Sequence, residues 1–492
     1  MSPEQKQGLL KRIPPITELL KSETVAAWLQ SYPLTLVTQC LRTAAAEERQ
    51  RLLAGTEQDG SEAGPVGPSA GATRPELMGE TPVPLSAEAL LARAGELLAQ
   101  ATAPRLREAI NATGIILHTG LGRAVFPASV VESVQAELKG YCTLAVDRVS
   151  GERLERDELV EPILTELTGA EAATVVNNNA AATLLVLAAL AGGKEVIVSR
   201  GQLIEIGGSF RLPEVMAQSQ ARLVEVGATN RTHLKDYRNA VTPQTAAILR
   251  VHPSNYRVIG FTSAPELAEL AELAHARELL LIDDLGAGAL VGLEQFGLPH
   301  EPTIRESIEA GADVVLCSGD KLIGASQAGV IVGRKELIQR LRQHPLMRAM
   351  RVDKTCLLIL ERTLHLFRSP ERLPREHPTY RMLCTPVEAL RERARTLVEA
   401  LAQTAPSVVA RSEQSVAYLG SGSLPTEAIP SVMVSVDAPG LSAGELARRL
   451  RLDPACVFGR IEDDRLRLDL RTVTDEQVSA LAAALGRCAR QS

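Results

Sequence analysis

Downstream of a helix predicted near Ala87 to Ala101, short β-branched and aliphatic runs recur along the chain: AATVV, EVIVS, RLVEV, AAILRV, LLLIDD, DVVLC and GVIVG. Segments rich in Ala, Leu and Glu separate them. Parallel strands need crossover connections, usually helices, so this alternation predicts an α/β domain with a largely parallel sheet and its chemistry at the strand ends. Ahead of it, residues 13 to 53 place apolar positions at helical spacing, as in ITELL and VAAWLQSYPLTLVTQCL, interrupted by Pro14, Pro15 and Pro33. That spacing predicts a small helical unit. Between the two lies AGTEQDGSEAGPVGPSAGATRPELMGETPVP, rich in Gly, Pro, Ser and Glu, which reads as a linker. Beyond about Pro345 the pattern is helical with many Leu and Arg, and from about Val408 a smaller α+β pattern ends in VFGRIEDDRLRLDLRTV and a last helix. The expected organisation is therefore a helical domain (1–54), a flexible linker (55–85), a large α/β domain (86–345), and connecting helices with a small α+β domain (346–492).

Composition narrows this picture only slightly. A 492-residue chain, 45% hydrophobic and 23% charged, is long enough for two or three domains with sizeable cores. A net charge of −6 rules out a strongly basic nucleic-acid binder, leaving only local patches for such contacts. Residues 1 to 54 hold seven Lys/Arg against five Asp/Glu, a local excess that permits a phosphate-contacting face. Seven scattered cysteines without a CxxC pair argue against a disulfide framework and a zinc site, and fit a reducing cytoplasm. The start, MSPEQKQGLLKRIPP, lacks a signal-peptide core, and no run of about 18 apolar residues occurs that could span a bilayer.

Three strand-end segments carry candidate chemistry. In CSGDKLIGASQAG, Lys321 follows an apolar run and precedes the small residues Gly324, Ala325 and Ser326, the setting of a pocket rather than of a solvated face. Such a lysine can be an ion-pair partner, a phosphate ligand or a Schiff-base former. In TVVNNNAAATLL, a strand ends in three asparagines that open directly into a helix: either an anion site at a helix N-terminus or a polar turn with an Asn cap. In LLLIDDLGAGAL, a strand delivers Asp283 and Asp284 to a Gly-rich turn, where a carboxylate can hold a cationic ring nitrogen, bind a metal or cap the turn. In chain order, phosphate loop, strand-end Asp and later lysine make the arrangement of an aspartate-aminotransferase-like, fold-type I pyridoxal 5'-phosphate enzyme. That cofactor needs an anion cradle, a carboxylate at its pyridine nitrogen and an imine-forming lysine. There is no P-loop sequence, and Cys317, inside an apolar run, reads as a core residue.

The motifs INATGIILHTGLGRA, LTGAEAATVVNNNAAATLL, VSRGQLIEIGGSFRLPEVM, VHPSNYRVIGFT, SGDKLIGASQAGVIVG, HPLMRAMRVDK and GRIEDDRLRLDLR resemble, in order, the bacterial L-seryl-tRNA(Sec) selenium transferase family, the selenocysteine synthases. The resemblance implies conversion of seryl-tRNA(Sec) to selenocysteinyl-tRNA(Sec) with selenophosphate as donor, through a cofactor-bound aminoacrylyl intermediate. It also implies a homo-oligomer, at least a dimer and by family a larger ring such as a decamer, and an N-terminal module that grips the tRNA.

By the same resemblance, Lys321 is the imine lysine and Asp284, rather than Asp283, faces the ring nitrogen. Asn177, Asn178, Asn179, Ala180 and Ser318 contact the cofactor phosphate, Asn255 lies near the ring hydroxyl, and His252 stacks on or donates to the cofactor. Arg123, Arg348 and Arg351 bind the anionic donor, the last two on one helical face by their three-residue spacing. The loop Gly151 to Arg156 reads GERLER where the family has a Gly-Ser pair between its two arginines, so Arg153 and Arg156 are not carried over. Two other readings compete. One is a lyase paralogue acting on a small amino acid or amino sugar, against which the N-terminal unit argues. The other is a non-catalytic tRNA-binding protein, against which the intact Lys321 and Asp284 argue.

Overall fold

The helical spacing near the N-terminus produces α1 (Glu23–Leu29) and α2 (Leu34–Ala54), parted at Pro33. The Ser22 side chain accepts from the Val25 N–H and caps α1, satisfying one of the donors that a helix start leaves open. A third helix, α3 (Ala87–Thr102), begins at Ser86, whose hydroxyl accepts from the Ala89 N–H. Its apolar face (Leu90, Ala94, Leu98) joins Val25, Val37, Leu41 and Leu52 in one core. The computed structural model describes residues 8, 10, 13–54, 86–207, 210–422, 424 and 427–490. The linker expected over 55–85 lies outside the described residues. The chain divides into Met1–Arg107 and Glu108–Ser492. The stripe of α3 belongs to the core of the first unit, with α1 and α2.

In the second unit each apolar run becomes a strand: β1 (Ala172–Val176), β2 (Glu195–Ser199), β3 (Arg222–Val226), β4 (Thr245–Val251), β5 (Leu280–Gly286), β6 (Val314–Ser318) and β7 (Gly329–Gly333). α4 (Asn179–Ala191) follows β1, and its continuous Ala/Leu composition fits its burial against the sheet. The strand order is β1-β7-β6-β5-β4-β2-β3. β7 alone runs antiparallel, to β1 and to β6, and all other neighbours are parallel. β1, β6 and β7 are buried along their whole length, as expected of strands covered on both faces. The C-terminal ends of β1, β5 and β6 come together where β1 opens into α4, and there the site forms.

Helices α5 (Lys335–Gln343), α6 (Pro345–Ala349), α7 (Lys354–Leu366), α8 (Pro378–Cys384) and α9 (Val387–Thr404) lead to an antiparallel sheet of β8 (Val409–Ala417), β9 (Ile429–Asp437), β10 (Arg460–Glu462) and β11 (Arg465–Asp469), ordered β8-β9-β11-β10. α9 and α10 (Asp475–Ala489) cover it, with Leu397, Leu401, Leu481 and Leu485 packed on Val432, Val434, Leu466 and Leu468. Ile110–Asn111 pairs in parallel with Val457–Phe458 in a separate two-stranded sheet, and the Asp469 N–H of β11 donates to Ala112 O, which ties the stretch INATG to the small domain.

The antiparallel insertion of β7 needs close backbone approach at Gly333, where an added Cβ would sit 2.3 Å from the Asp313 carbonyl oxygen. Gly333→Ala therefore forces backbone apart rather than a side chain. A loss of about 1–3 kcal/mol is expected, read as a lower melting temperature in calorimetry.

Candidate active site

Lys321 sits in the turn after β6, only 6% exposed, at the wall of a cavity of about 250 Å³. The turn is closed by its own backbone: Ala325 N–H donates to Gly319 O (2.9 Å) and Leu322 N–H to Ala287 O (3.2 Å). The second of these ties the lysine to the Gly-rich turn after β5. Burial lowers the lysine's proton affinity, and the Arg123 charge lowers it further, against the pull of Asp284 and Asp320.

Asp284 faces the same cavity. It accepts from Asn179 Nδ2 at Oδ1 (2.9 Å) and from Thr183 Oγ1 at Oδ2 (3.2 Å). Burial raises its pKa, opposed by those two donors and by Lys321. Asp283, one residue earlier, points to the other face of the sheet. There it pairs with Arg250 (2.9 Å) and accepts from Ser307 (2.7 Å), so it is structural.

At the end of β1, Asn178 caps α4, its Oδ1 accepting from Ala181 N–H (2.9 Å). Asn178, Asn179 and Ala180 line the cavity, as do Ser318, His252 and Arg123. The start of this 13-residue helix offers its backbone donors and the positive end of its dipole to an anion. His252 lies 3.5 Å by Nε2 from the buried Glu301, and its Nδ1, like Asn179 Oδ1, is buried without a partner among the described residues. Arg123, with a left-handed φ of 62°, pairs with Asp320 at 2.7 Å.

Other sequence expectations land elsewhere. Asn177 does not line the cavity; its N–H donates to Met350 O (2.9 Å). Asn255 is also outside, its Nδ2 donating to Glu205 O (3.1 Å). Arg348 and Arg351 do not share a helix face, because α6 ends at Ala349 and Arg351 instead bridges to Val176. Both line a second cavity of about 640 Å³, which shares no residue with the first. Arg153 and Arg156 line it too, and the guanidinium of Arg156 above all, with those of Arg348 and Arg153, lowers the pKa of the exposed Arg351. The bulky GERLER loop thus still delivers both arginines to this basic cavity. Cys317 is 1% exposed and burial raises its pKa, so it is the core residue expected.

Sequence reasoning passed over Ser254, Gln327, Ile204, Ile206 and Phe210, which also line the first cavity. Their only signal was membership of the long motifs, since none is titratable. All seven cysteines are free, and among the described residues no helix is long and apolar enough to cross a membrane.

A solved D-glucosaminate-6-phosphate ammonia-lyase is similar in fold, with a TM-score of 0.54 and 22% identity over 78% of this chain and 96% of that one. The largely parallel sheet, with a buried lysine in the turn after its interior strand β6, defines an α/β fold of the aspartate-aminotransferase-like class. Residues 109–474 match the family model described as L-seryl-tRNA selenium transferase. Relatives named L-seryl-tRNA(Sec) selenium transferase include one from Geobacter sulfurreducens, 43% identical over 97% of this chain and 98% of the relative. Another, from Desulfovibrio desulfuricans, is 49% identical over 77% of this chain and 81% of the relative. The chain belongs to the L-seryl-tRNA selenium transferase family.

The buried amine makes a pH-dependent prediction for the cofactor-free protein. Between its lowered folded value and the ordinary 10.5, Lys321 is protonated in the unfolded chain but not in the folded one, so stability rises with pH through that window. Lys321→Met lacks this dependence. It should melt higher than the wild-type apoprotein near neutrality, with the gap closing as pH approaches 10.5. Parallel melting curves at all pH values would show the amine to be solvated.

Proposed function

We propose that this chain converts L-seryl-tRNA(Sec) to L-selenocysteinyl-tRNA(Sec), using selenophosphate as the selenium donor and pyridoxal phosphate as cofactor. One observation carries the reading: Lys321, Asp284 and the start of α4 converge on one buried cavity in a chain of this family. The cavity suits the cofactor chemically. It offers an amine of depressed proton affinity, a buried carboxylate in need of a cation, an anion-binding helix start and two unpartnered buried acceptor or donor atoms, Asn179 Oδ1 and His252 Nδ1.

When bound, pyridoxal phosphate supplies an electron sink for charge developing at the substrate's α-carbon. Asn178, Asn179, Ala180 and Ser318 hold its phosphate, and Lys321 anchors it covalently. Asp284 faces the ring nitrogen as a carboxylate kept in place by Asn179 and Thr183. With the cofactor bound, Lys321 Nζ, whose proton affinity burial lowers, would be the group in this cavity to take and return the α-proton. His252, which lines the cavity at the end of β4, would stack on or donate to the cofactor, and Asn255, outside the cavity, would act near the ring hydroxyl only by way of the segment it holds through Glu205 O. Arg123, Arg348 and Arg351 take the anionic donor by charge-assisted pairing. Arg348 and Arg351 line a different cavity from Lys321 within one chain, an arrangement in keeping with a site shared between copies in a homo-oligomer, at least a dimer; the larger ring, such as a decamer, rests on the family resemblance. The N-terminal unit takes the tRNA, largely by shape and phosphate, and the unpaired cysteines suit the cytoplasm.

Purified protein incubated with seryl-tRNA(Sec), pyridoxal phosphate and selenophosphate should form selenocysteinyl-tRNA(Sec). Lys321→Ala should form none and show no imine absorbance; full turnover in that variant would remove the lysine from its role. Arg348→Ala combined with Arg351→Ala should still eliminate water from seryl-tRNA but use the donor poorly. Each lost charge-assisted contact is worth about 1.5–3 kcal/mol, so donor use should weaken about tenfold or more per arginine. Loss of seryl-tRNA binding with normal donor dependence would instead assign these arginines to the RNA.

A further inference from the structure

Two side chains that touch neither cavity grip the turn carrying Lys321. His377, at the start of α8, is fully buried, and its Nε2 lies 3.1 Å from the carbonyl oxygen of Ile323. Tyr380, one turn further along α8 and also fully buried, donates its hydroxyl to the carbonyl oxygen of Leu322 at 3.1 Å. The two carbonyls immediately after Lys321 are therefore both held from a helix more than 50 residues away. Carbonyl oxygens only accept, so His377 Nε2 carries the proton. Burial pushes the ring's pKa down to about 4, so it serves as a neutral donor.

The donors have little freedom to move. The Tyr380 ring centroid is 5.1 Å from that of His377, 5.8 Å from Phe367 and 5.2 Å from Phe296, edge-on or tilted in each case. Gly324 completes the fit: its φ is +69°, and a Cβ there would lie 2.1 Å from the His377 ring. Only glycine allows the imidazole to reach the turn. Meanwhile Leu322 N–H is anchored to Ala287 O on the opposite side, so the residue after the lysine is held by both its N–H and its carbonyl.

We propose that His377 and Tyr380 are positioning residues for the reaction. By fixing the carbonyls of Leu322 and Ile323, they hold Lys321 in the narrow range of orientations from which its amine condenses with the cofactor aldehyde, with loss of water. The proposal rests on the reading of Lys321 as the imine lysine. Freed from the clamp, the turn samples other conformations, and the apparent affinity for an aldehyde cofactor falls by the fraction of time the amine points correctly. A cofactor analogue without the aldehyde uses the phosphate cradle and ring contacts alone and is indifferent to that fraction.

The test compares pyridoxal phosphate, followed by imine absorbance, with pyridoxamine phosphate, followed by calorimetry, in wild type, Tyr380→Phe, His377→Leu and His377→Gln. Tyr380→Phe keeps the ring in its aromatic cluster and removes only the hydroxyl, so it decides the matter even where His377→Leu fails to fold. The expected result is slower imine formation and weaker pyridoxal phosphate binding, by about tenfold, in Tyr380→Phe and His377→Leu. Binding of pyridoxamine phosphate should be unchanged. His377→Gln, whose amide places a donor near the Nε2 position, should recover most of the loss. Equal weakening of both ligands, or a lower melting temperature with normal imine formation, would reduce the pair to a structural role and overturn the proposal. A wild-type chain that forms no imine would overturn the reading of Lys321 itself, a distinct outcome.

Discussion

Keeping a lysine amine and a carboxylate in one desolvated cavity is the constraint around which this fold is arranged. Each ion alone would lose several kcal/mol of hydration there, so both shift toward their neutral forms, the amine downward and the carboxyl upward in pKa. Such a pair stays reactive only if it cannot collapse into an ordinary salt bridge or swing out to water. Rigid strands prevent the first: Asp284 is held from α4 by Asn179 and Thr183, and β5 breaks register with β6 between Asp284 and Gly286. Gly286, at φ +67°, lets the turn pass close to Ser254, since a Cβ there would come 3.1 Å from Ser254 Oγ. The turn held by α8 prevents the second.

The arginines divide along the same electrostatic logic. Arg123 enters the lysine's cavity with its charge matched by Asp320, and so lowers the amine's proton affinity without leaving an unbalanced cation. In the other cavity Arg153, Arg156, Arg348 and Arg351 approach one another closely enough to depress the pKa of Arg351. Asp157, which also lines that cavity, is occupied by Arg342 at 2.6 Å and by the Thr174 hydroxyl. Glu155 is the other carboxylate lining it, so the guanidiniums outnumber the carboxylates there, and a multivalent anion relieves the remaining repulsion.

Legibility from sequence tracked how local the determining physics was. All seven strands of the large sheet were visible as apolar runs; those buried on both faces have to be continuously apolar, and even the edge strand β3 keeps Leu223, Val224 and Val226. The direction of β7 was not visible: GVIVG reads the same up or down, and the chain reverses only because Gly329 and Gly333 can approach the backbone of neighbouring segments. α3 reads as amphipathic whatever it packs on, and nothing local in its sequence reveals that its apolar surface meets α1 and α2. In the site, Lys321, Asp284 and the asparagine loop stood out because charge or amide clusters at strand ends are rare. Arg153 and Arg156 were set aside on a loop difference, yet the hairpin in which Leu154 N–H donates to Ala145 O carries them to the same cavity. His377 and Tyr380 carried no signal, since a histidine and a tyrosine among leucines read as core until the carbonyls they serve are known.

Asp283 and Asp284 show how sharply a strand can separate structure from chemistry. Both are buried carboxylates on β5, adjacent in sequence. The pleat sends one to Arg250 and Ser307, where a full cation and a hydroxyl satisfy it. It sends the other to a cavity where an amide, a hydroxyl and the Gly286 N–H donate but no guanidinium pairs with it, so its charge is incompletely compensated. An undercompensated carboxylate is costly to keep and has an unfulfilled preference for a cation. Moving the register of β5 by one residue would exchange the two environments and abolish the site while leaving the composition of the strand untouched. The pairing of Asp283 with Arg250 guards against that slip, because the reversed register would bury the Arg250 partner's charge against α4 and leave the guanidinium without its carboxylate. A structural ion pair on one face of the sheet thus fixes which carboxylate is available for chemistry on the other.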